Sequence, residues 1–297
     1  NLLYHCRMTD QCIVTANNWL DENTNLGPCQ RNAMAVLCRQ LVDVLSRCRP
    51  GSGPVTVGIS GAPGSGKSTL ARLVTAVLND RGKRCQLVSL DDYYLPRPER
   101  LDLAGQLHRL CAVRGVPGTH DLPLLLEHIN RLKSGDTSTL AMPQFDKSSD
   151  DRLAAMRLCE AEAPLDYLFV EGWLLGAPAI EPTALQEPVN HLEANQDPKG
   201  VWRNWWNQQL LRYQHTLNQQ LHSFWYLRVP DWNAVIDWRW RQERELPLPA
   251  LKTRAEVEDF LGHFQRLAEH MQAGCNAWAD LITQLDESHC ATISAKS

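Results

Sequence analysis

The chain has 297 residues, 43% of them hydrophobic and 22% charged, a make-up that suits a globular protein with a large core and excludes a disordered or fibrous chain. Thirty Lys and Arg against 34 Asp and Glu leave a net charge of −4, so no global basic field draws in nucleic acid or an anionic membrane, and any phosphate binding has to be local. No apolar run reaches the roughly 18 residues of a membrane span and no signal-peptide pattern opens the chain, so a cytoplasmic location is expected, without nucleic-acid or membrane partners.

Residues 31–48 place Met34, Leu37, Cys38, Leu41 and Leu45 at helical spacing, and Arg49-Pro50-Gly51-Ser52-Gly53-Pro54 then breaks the chain. The expected organisation is an N-terminal helical extension over 1–50 and one domain over 51–297. Met8 is the first methionine, and residues 1–7 are given no part in the fold. Short apolar runs at 55–60, 85–90, 167–170, 224–229 and 279–285 suit buried parallel strands. Between them, 66–80 carries Leu70, Leu73, Val74, Val77 and Leu78 on one helical face and stops at Gly82. A second helix is expected over 122–133. Trp202, Trp206, Leu210, Tyr213, Leu217 and Leu221 recur at intervals of four and three, the signature of a core stripe rather than an aromatic platform. The last helix opens on the capping box Thr253-Arg254-Ala255-Glu256 and runs on through Val257, Phe260, Leu261, Phe264, Leu267 and Met271. The alternation predicts an α/β fold: a doubly wound, mostly parallel five-stranded sheet with helices on both faces. The ten cysteines are scattered without CxxC pairs and are expected to be reduced thiols, mostly in the core.

One motif dominates the chemistry. Gly61-Ala62-Pro63-Gly64-Ser65-Gly66-Lys67-Ser68-Thr69 contains a full G-x-x-x-x-G-K-S directly after a predicted strand and directly before a predicted helix, the context of a P-loop NTPase fold. Glycines let backbone N–H groups turn around a triphosphate, the helix N-terminus adds positive potential, Lys67 reaches the β and γ phosphates, and the Ser68 hydroxyl offers a ligand to Mg²⁺. After the second strand, Ser89-Leu90-Asp91-Asp92-Tyr93-Tyr94 puts two carboxylates at the strand end where ligands of such sheets bind. One of them is a candidate base for an acceptor hydroxyl; the alternative is that either merely caps a turn. Glu171 ends the apolar run 167–170 and is a candidate second contact to Mg²⁺, or a plain strand-end acid.

With these segments in view, the sequence resembles the D-glycerate 3-kinase family of P-loop kinases, relatives of uridine kinase, pantothenate kinase and phosphoribulokinase. The resemblance rests on GISGAPGSGKSTL (58–70), SLDDYYLP (89–96), RGVPGTHD (114–121), PQFDKS (143–148), VEGWLLG (170–176) and DWRWRQERE (237–245), which follow in family order over about three quarters of the chain. It implies an ATP- and Mg²⁺-dependent phosphotransferase acting on a hydroxyl of a small molecule, most simply D-glycerate. It further implies that Lys67 and Asp91 are catalytic and that Asp92, Tyr93, Arg114, His120, Asp121, Asp146 and Lys147 shape the acceptor side. Arg239, Arg241 and Arg244 are implied as cations of a lid near 231–246. Several have a plainer reading: Asp121 as a helix N-cap, His120 as a turn residue, Asp146 and Lys147 as a solvated ion pair, the three arginines as a solvated helix face. The chain departs from the family pattern after FDKS, where Ser148-Ser149-Asp150 leads straight into Asp151-Arg152 in place of a longer, glycine-containing loop. A kinase for another small alcohol, such as pantothenate or a nucleoside, and a non-catalytic ATP-binding regulator stay as alternatives. No chemistry is read from 177–199, and the sequence leaves the oligomeric state open.

Overall fold

A computed structural model describes residues 2–48, 53–136, 138–159, 164–245, 251 and 253–295. Two helices, α1 (Leu2–Asn23) and α2 (Pro28–Leu45), precede the first strand, β1 (Val55–Gly61). The expected break at 49–52 lies outside the described residues. Then come α3 (Lys67–Asp80), β2 (Cys85–Ser89), α4 (Arg97–Gln106), α5 (Leu122–Ser134) and four short strands, β3 (Leu140–Met142), β4 (Phe145–Asp146), β5 (Asp151–Arg152) and β6 (Arg157–Cys159). The chain continues with β7 (Tyr167–Glu171), α6 (His191–Gln196), α7 (Val201–His215), β8 (Ser223–Arg228), α8 (Trp232–Glu245), α9 (Arg254–Trp278), β9 (Leu281–Leu285) and β10 (Ala291–Ala295).

The main sheet has the order β10-β9-β8-β1-β7-β2, and its five expected strands are all parallel. All seven residues of β1 are buried, as a strand paired on both edges and covered by helices requires. The sixth strand, β10, pairs antiparallel with β9 and was not expected: its residues alternate small polar and apolar side chains over only five positions. α3 packs on β1, β2 and β7, α2 packs on α3 and β10, and α9 packs on β8. The buried residues of α1 and α2, among them Ala16, Leu20, Leu37 and Leu41, belong to the same apolar cluster as the sheet.

The local signals act where the sequence puts them. Thr253 Oγ1 accepts the Glu256 N–H at 3.2 Å while Glu256 accepts the Thr253 N–H at 3.1 Å, closing the capping box of α9. The tryptophan stripe of α7 is core: Trp202, Trp206, Leu210, Tyr213 and Leu217 are each at most 2% exposed. Burial of such side chains contributes about 1.5–3 kcal/mol each.

The segment 177–199 is held by two buried arginines. Arg203 donates to the carbonyls of Leu185 and Gln186 and pairs with Asp197. Arg266 donates to the carbonyl of Ala184 and pairs with Glu193. Both pairs are buried with their hydrogen bonds met, which is what makes a buried ion pair tolerable.

Candidate active site

Parallel pairing decides where the chemistry collects. Ile59 of β1 and Ser89 of β2 both stand in register with Glu171 of β7, so the segments leaving β1, β2 and β7 emerge at one edge of the sheet. The P-loop leaves β1 there. Gly64 and Gly66 take left-handed φ values of 79° and 85°, a conformation that glycine adopts without strain, and α3 begins at Lys67. Among the described residues Ser65 Oγ is buried without a partner, and a Cβ on Gly61 would come within 2.7 Å of it, so the loop has no room for a side chain there. Ala62 is buried, Pro63 and Ser68 are half-buried, and Thr69 lies in the first turn of α3.

Glu171 is 4% exposed. Its Oε1 accepts the Ser89 hydroxyl at 2.5 Å, and its Oε2 is buried with no partner among the described residues. A buried carboxylate oxygen left open beside the P-loop is what a hard cation needs, together with Ser68 and phosphate oxygens. Among the described residues no group of three or more His, Cys, Asp or Glu forms a metal cluster.

β2 stops at Ser89 because Leu90–Tyr93 turns as a short 3₁₀ helix, and that turn separates the two carboxylates. Asp91 accepts the Tyr94 hydroxyl on Oδ1 at 2.6 Å and the Lys147 ammonium on Oδ2 at 2.7 Å. Burial raises its pKa, but the charges of Lys147 and Lys67 with these two hydrogen bonds outweigh it and hold the carboxyl well below the usual range. Asp92 instead accepts the Phe145 N–H at 3.3 Å, so it anchors β4, and burial raises its pKa. Tyr93, expected on the acceptor side, turns into the core: it is 1% exposed and its hydroxyl meets His128 Nδ1 at 2.8 Å. Its neighbour Tyr94 reaches Asp91 in its place.

The loop 114–121 is joined to this turn by an antiparallel bridge between Tyr94 and His120. Thr119 Oγ1 accepts the Gly115 N–H at 2.9 Å and donates to the Val116 carbonyl at 2.8 Å, closing the loop on itself. Gly118 has a φ of 94° and lies so close to Trp205 that a Cβ would come within 2.6 Å of the ring. His120 is 5% exposed; Nδ1 meets the Tyr213 hydroxyl at 2.9 Å, and Nε2 is buried without a partner among the described residues. Burial lowers its pKa to about 3, so the ring is neutral.

Asp121 caps α5 through the Leu124 N–H at 3.2 Å and pairs with Arg152 at 3.3 Å, so both its oxygens are engaged. Arg152 also donates to the carbonyls of Tyr93 and Tyr94. Asp146 is occupied too: it accepts from the backbone and hydroxyl of Ser148 and from the Ser149 N–H, which folds the shortened loop and lowers its pKa to about 2. Asp150, at a φ of 55°, bridges Arg100 and Arg114. Arg114 is 16% exposed, lies against the rings of Phe145 and Phe260, and spends one nitrogen on Asp150. On α8, Arg239 is turned inward over Phe260 and pairs with Glu243, its Nε buried without a partner among the described residues, whereas Arg241 and Arg244 are exposed. Arg100, Asp150, Arg152 and Tyr213 escaped the sequence reading because each is recruited across a long separation, and Tyr94, three residues from Asp91, escaped it because only the 3₁₀ turn decides which of two adjacent tyrosines faces the carboxylate.

A parallel sheet whose open edge carries a triphosphate loop, with a cation-held carboxylate across from its lysine, defines a P-loop phosphotransferase. The family described as "Methylmalonyl Co-A mutase-associated GTPase MeaB" matches residues 30–94, the stretch that holds the P-loop and the turn at Asp91. The Schizosaccharomyces pombe protein "Uncharacterized kinase mug58" is 30% identical over 73% of this chain and 80% of its own. The chloroplastic D-glycerate 3-kinase of Arabidopsis thaliana is 26% identical over 71% of this chain and 46% of its own. Among solved structures, D-glycerate 3-kinase from Cryptococcus neoformans var. grubii shares the fold at a TM-score of 0.72 and 24% identity, over 91% of this chain and all of that one. The chain belongs to this family of ATP-dependent P-loop kinases, the one that includes D-glycerate 3-kinase, and is a phosphotransferase with an alcohol group as acceptor. Among the described residues no helix is long and apolar enough to cross a membrane.

Proposed function

We propose that the chain transfers the γ-phosphoryl group of ATP to a hydroxyl of a small organic hydroxy-acid, with D-glycerate as the leading acceptor. The observation that carries this reading is that Asp91, held ionised by Lys147 and Tyr94, shares one cluster with Arg114: Tyr94 and the half-buried Arg114 guanidinium both lie against the Phe145 ring, and among the described residues that guanidinium hydrogen-bonds to Asp150 alone. ATP with Mg²⁺ supplies the phosphoryl group and the divalent charge that offsets its oxygens. Backbone N–H groups of the loop from Gly64 to Lys67 and the Lys67 ammonium would bind the phosphates, and Ser68 with Glu171 Oε2 would hold the cation.

Asp91 orients the acceptor hydroxyl and takes its proton as the phosphoryl group arrives, and an incoming hydroxyl displaces Lys147. Arg114 binds the acceptor carboxylate. Asp150, the chain's own carboxylate on that guanidinium, supports a site suited to an acid. With Tyr213 donating to Nδ1, His120 Nε2 carries its hydrogen and offers a neutral donor to an acceptor oxygen. Asp92, Asp121 and Asp146 act by positioning the segments around the site. Arg239 serves the acceptor side of a lid formed by α8, and α1 and α2 form a helical extension that buttresses α3.

The test is ADP release across D-glycerate, glycerol, glyceraldehyde, pantothenate and uridine, with ATP and GTP as donors. D-glycerate with ATP is expected to give the highest kcat/KM. Arg114→Ala is expected to lower it about 10- to 150-fold, the range of about 1.5–3 kcal/mol for a charge-assisted interaction. Glycerol matching glycerate in the wild type would replace the acid pocket with a neutral-alcohol kinase.

A further inference from the structure

We propose that Cys29 and Cys290 form a reversible disulfide, made by exchange with glutathione disulfide, that fastens the turn 286–290 over the P-loop and restrains α8. The two sulfurs are 261 positions apart in sequence and 2.8 Å apart in space, about 0.8 Å beyond a disulfide bond of ~2.05 Å. Cys29 lies in the first turn of α2 and is exposed, and Cys290 directly precedes β10. Cys12, Cys38, Cys85, Cys111, Cys159 and Cys275 are buried, and the exposed Cys48 turns its Sγ to the Val44 carbonyl at 3.6 Å. An open cleft of about 460 Å³ lies beside Cys29, with Gln30, Arg241 and Glu287 on its walls, so a small disulfide carrying carboxylates meets both a thiol and a cation.

The turn is already docked at both ends of a path to the nucleotide loop. The Ser288 carbonyl accepts from Gln30 Nε2 at 3.1 Å, and the Glu287 carbonyl accepts from Trp238 Nε1 at 3.0 Å. His289 Nε2 donates to the Gly64 carbonyl of the P-loop at 2.9 Å, and its ring lies 3.7 Å from that of Trp238 at 30°. A covalent bond at Cys290 therefore immobilises the residue next to the one that touches both the P-loop and α8. None of these contacts enters the phosphotransfer reading above.

The exchange balances in two steps. The Cys29 thiolate attacks one sulfur of glutathione disulfide and expels one glutathione thiolate, leaving a mixed disulfide on Cys29. The Cys290 thiol then loses its proton, attacks Cys29 Sγ and expels the second glutathione. Two protein thiols are oxidised and one glutathione disulfide is reduced to two glutathiones. A dithiol reverses both steps.

The experiment treats the full chain with glutathione disulfide, maps linked peptides by mass spectrometry without reduction, and follows amide hydrogen exchange in the absence of nucleotide. The expected result is a Cys29–Cys290 peptide that dithiothreitol abolishes, a Tm higher by several degrees, and several-fold slower exchange at amides around Gly64 and Trp238. Cys29→Ser and Cys290→Ser should show none of these changes while keeping the reduced wild type's ADP-release rate. Glutathione adducts without the cross-link overturn the disulfide, and a cross-link with unchanged exchange overturns its coupling to the P-loop. Neither readout depends on the acceptor, so loss of the glycerate reading would show only in the ADP-release panel.

Discussion

Two regions of this molecule bury charge, and they do so in opposite ways. Around α6, α7 and α9, the pairs Arg203–Asp197 and Arg266–Glu193 are at most 7% exposed, and their arginines also satisfy the carbonyls of a non-helical segment. Around the sheet edge, charge is left open: among the described residues Glu171 Oε2 and Arg239 Nε are buried with no partner, and Asp91 is held by an exposed lysine. Saturated buried charge fixes architecture, because every group has its geometry met within the chain. Unsaturated buried charge keeps a desolvation cost that a ligand relieves, which is why the second region is the one assigned to chemistry.

The contrast breaks most sharply at Asp91. Asp91→Asn keeps the shape and the Tyr94 contact but cannot take a proton, so turnover should fall about 10²- to 10⁴-fold with nucleotide binding and Tm nearly unchanged. Asp92→Asn, which alters only the anchor of β4, should keep turnover within a few-fold; the reverse pattern would move the base to Asp92. In the saturated region the loss is of stability. Arg266→Met leaves Glu193 buried and unpaired and should cost about 3–5 kcal/mol in chemical denaturation, with turnover per folded molecule preserved. Arg266→Met with Glu193→Leu should recover most of it; no recovery would mean that the carbonyl contacts, not the charge pair, carry the effect.

Lys67→Ala should lower kcat about 10²- to 10³-fold without lowering Tm, since the lysine compensates charge that develops on the transferring group. Wild-type turnover in the folded variant would remove Lys67 from the chemistry.

Smaller effects come from the histidines, one in each region. Burial lowers the pKa of His120 to about 3 and of His263 to about 4, below the ordinary value of 6.5. Between those values the unfolded chain binds protons that the folded chain refuses, so stability is full above about pH 6.5 and falls as the pH drops. Each contributes a loss of about 2 kcal/mol at pH 5, and denaturation midpoints at pH 7 and 5 should differ less in His120→Asn than in the wild type. Identical slopes would mean that His120 is not excluded from protonation in the fold.

The five parallel strands, the P-loop with its helix, the caps of α5 and α9 and the core role of the tryptophans were all legible in the sequence. Each is written in residues close together in the chain, where period, turn chemistry and capping act through local backbone geometry. Asp91 and Glu171 were legible for a related reason: each follows a predicted parallel strand, and parallel strands deliver their C-terminal ends to one edge whatever lies between them.

The tertiary structure decided the rest. Adjacent residues parted ways: Asp91 went to Lys147 and Tyr94 while Asp92 went to the backbone of Phe145, and Tyr93 went to the core while Tyr94 went to the site. A 3₁₀ turn fixes which of two identical side chains faces which way, and no period in the sequence encodes it. Arg203 and Arg266 look like ordinary helix charges in the sequence; only the path of 177–199 over α7 and α9 makes them interior. β10 and the meeting of Cys29 with Cys290 likewise depend on contacts that close over the length of the chain, where pattern gives no partner and packing does.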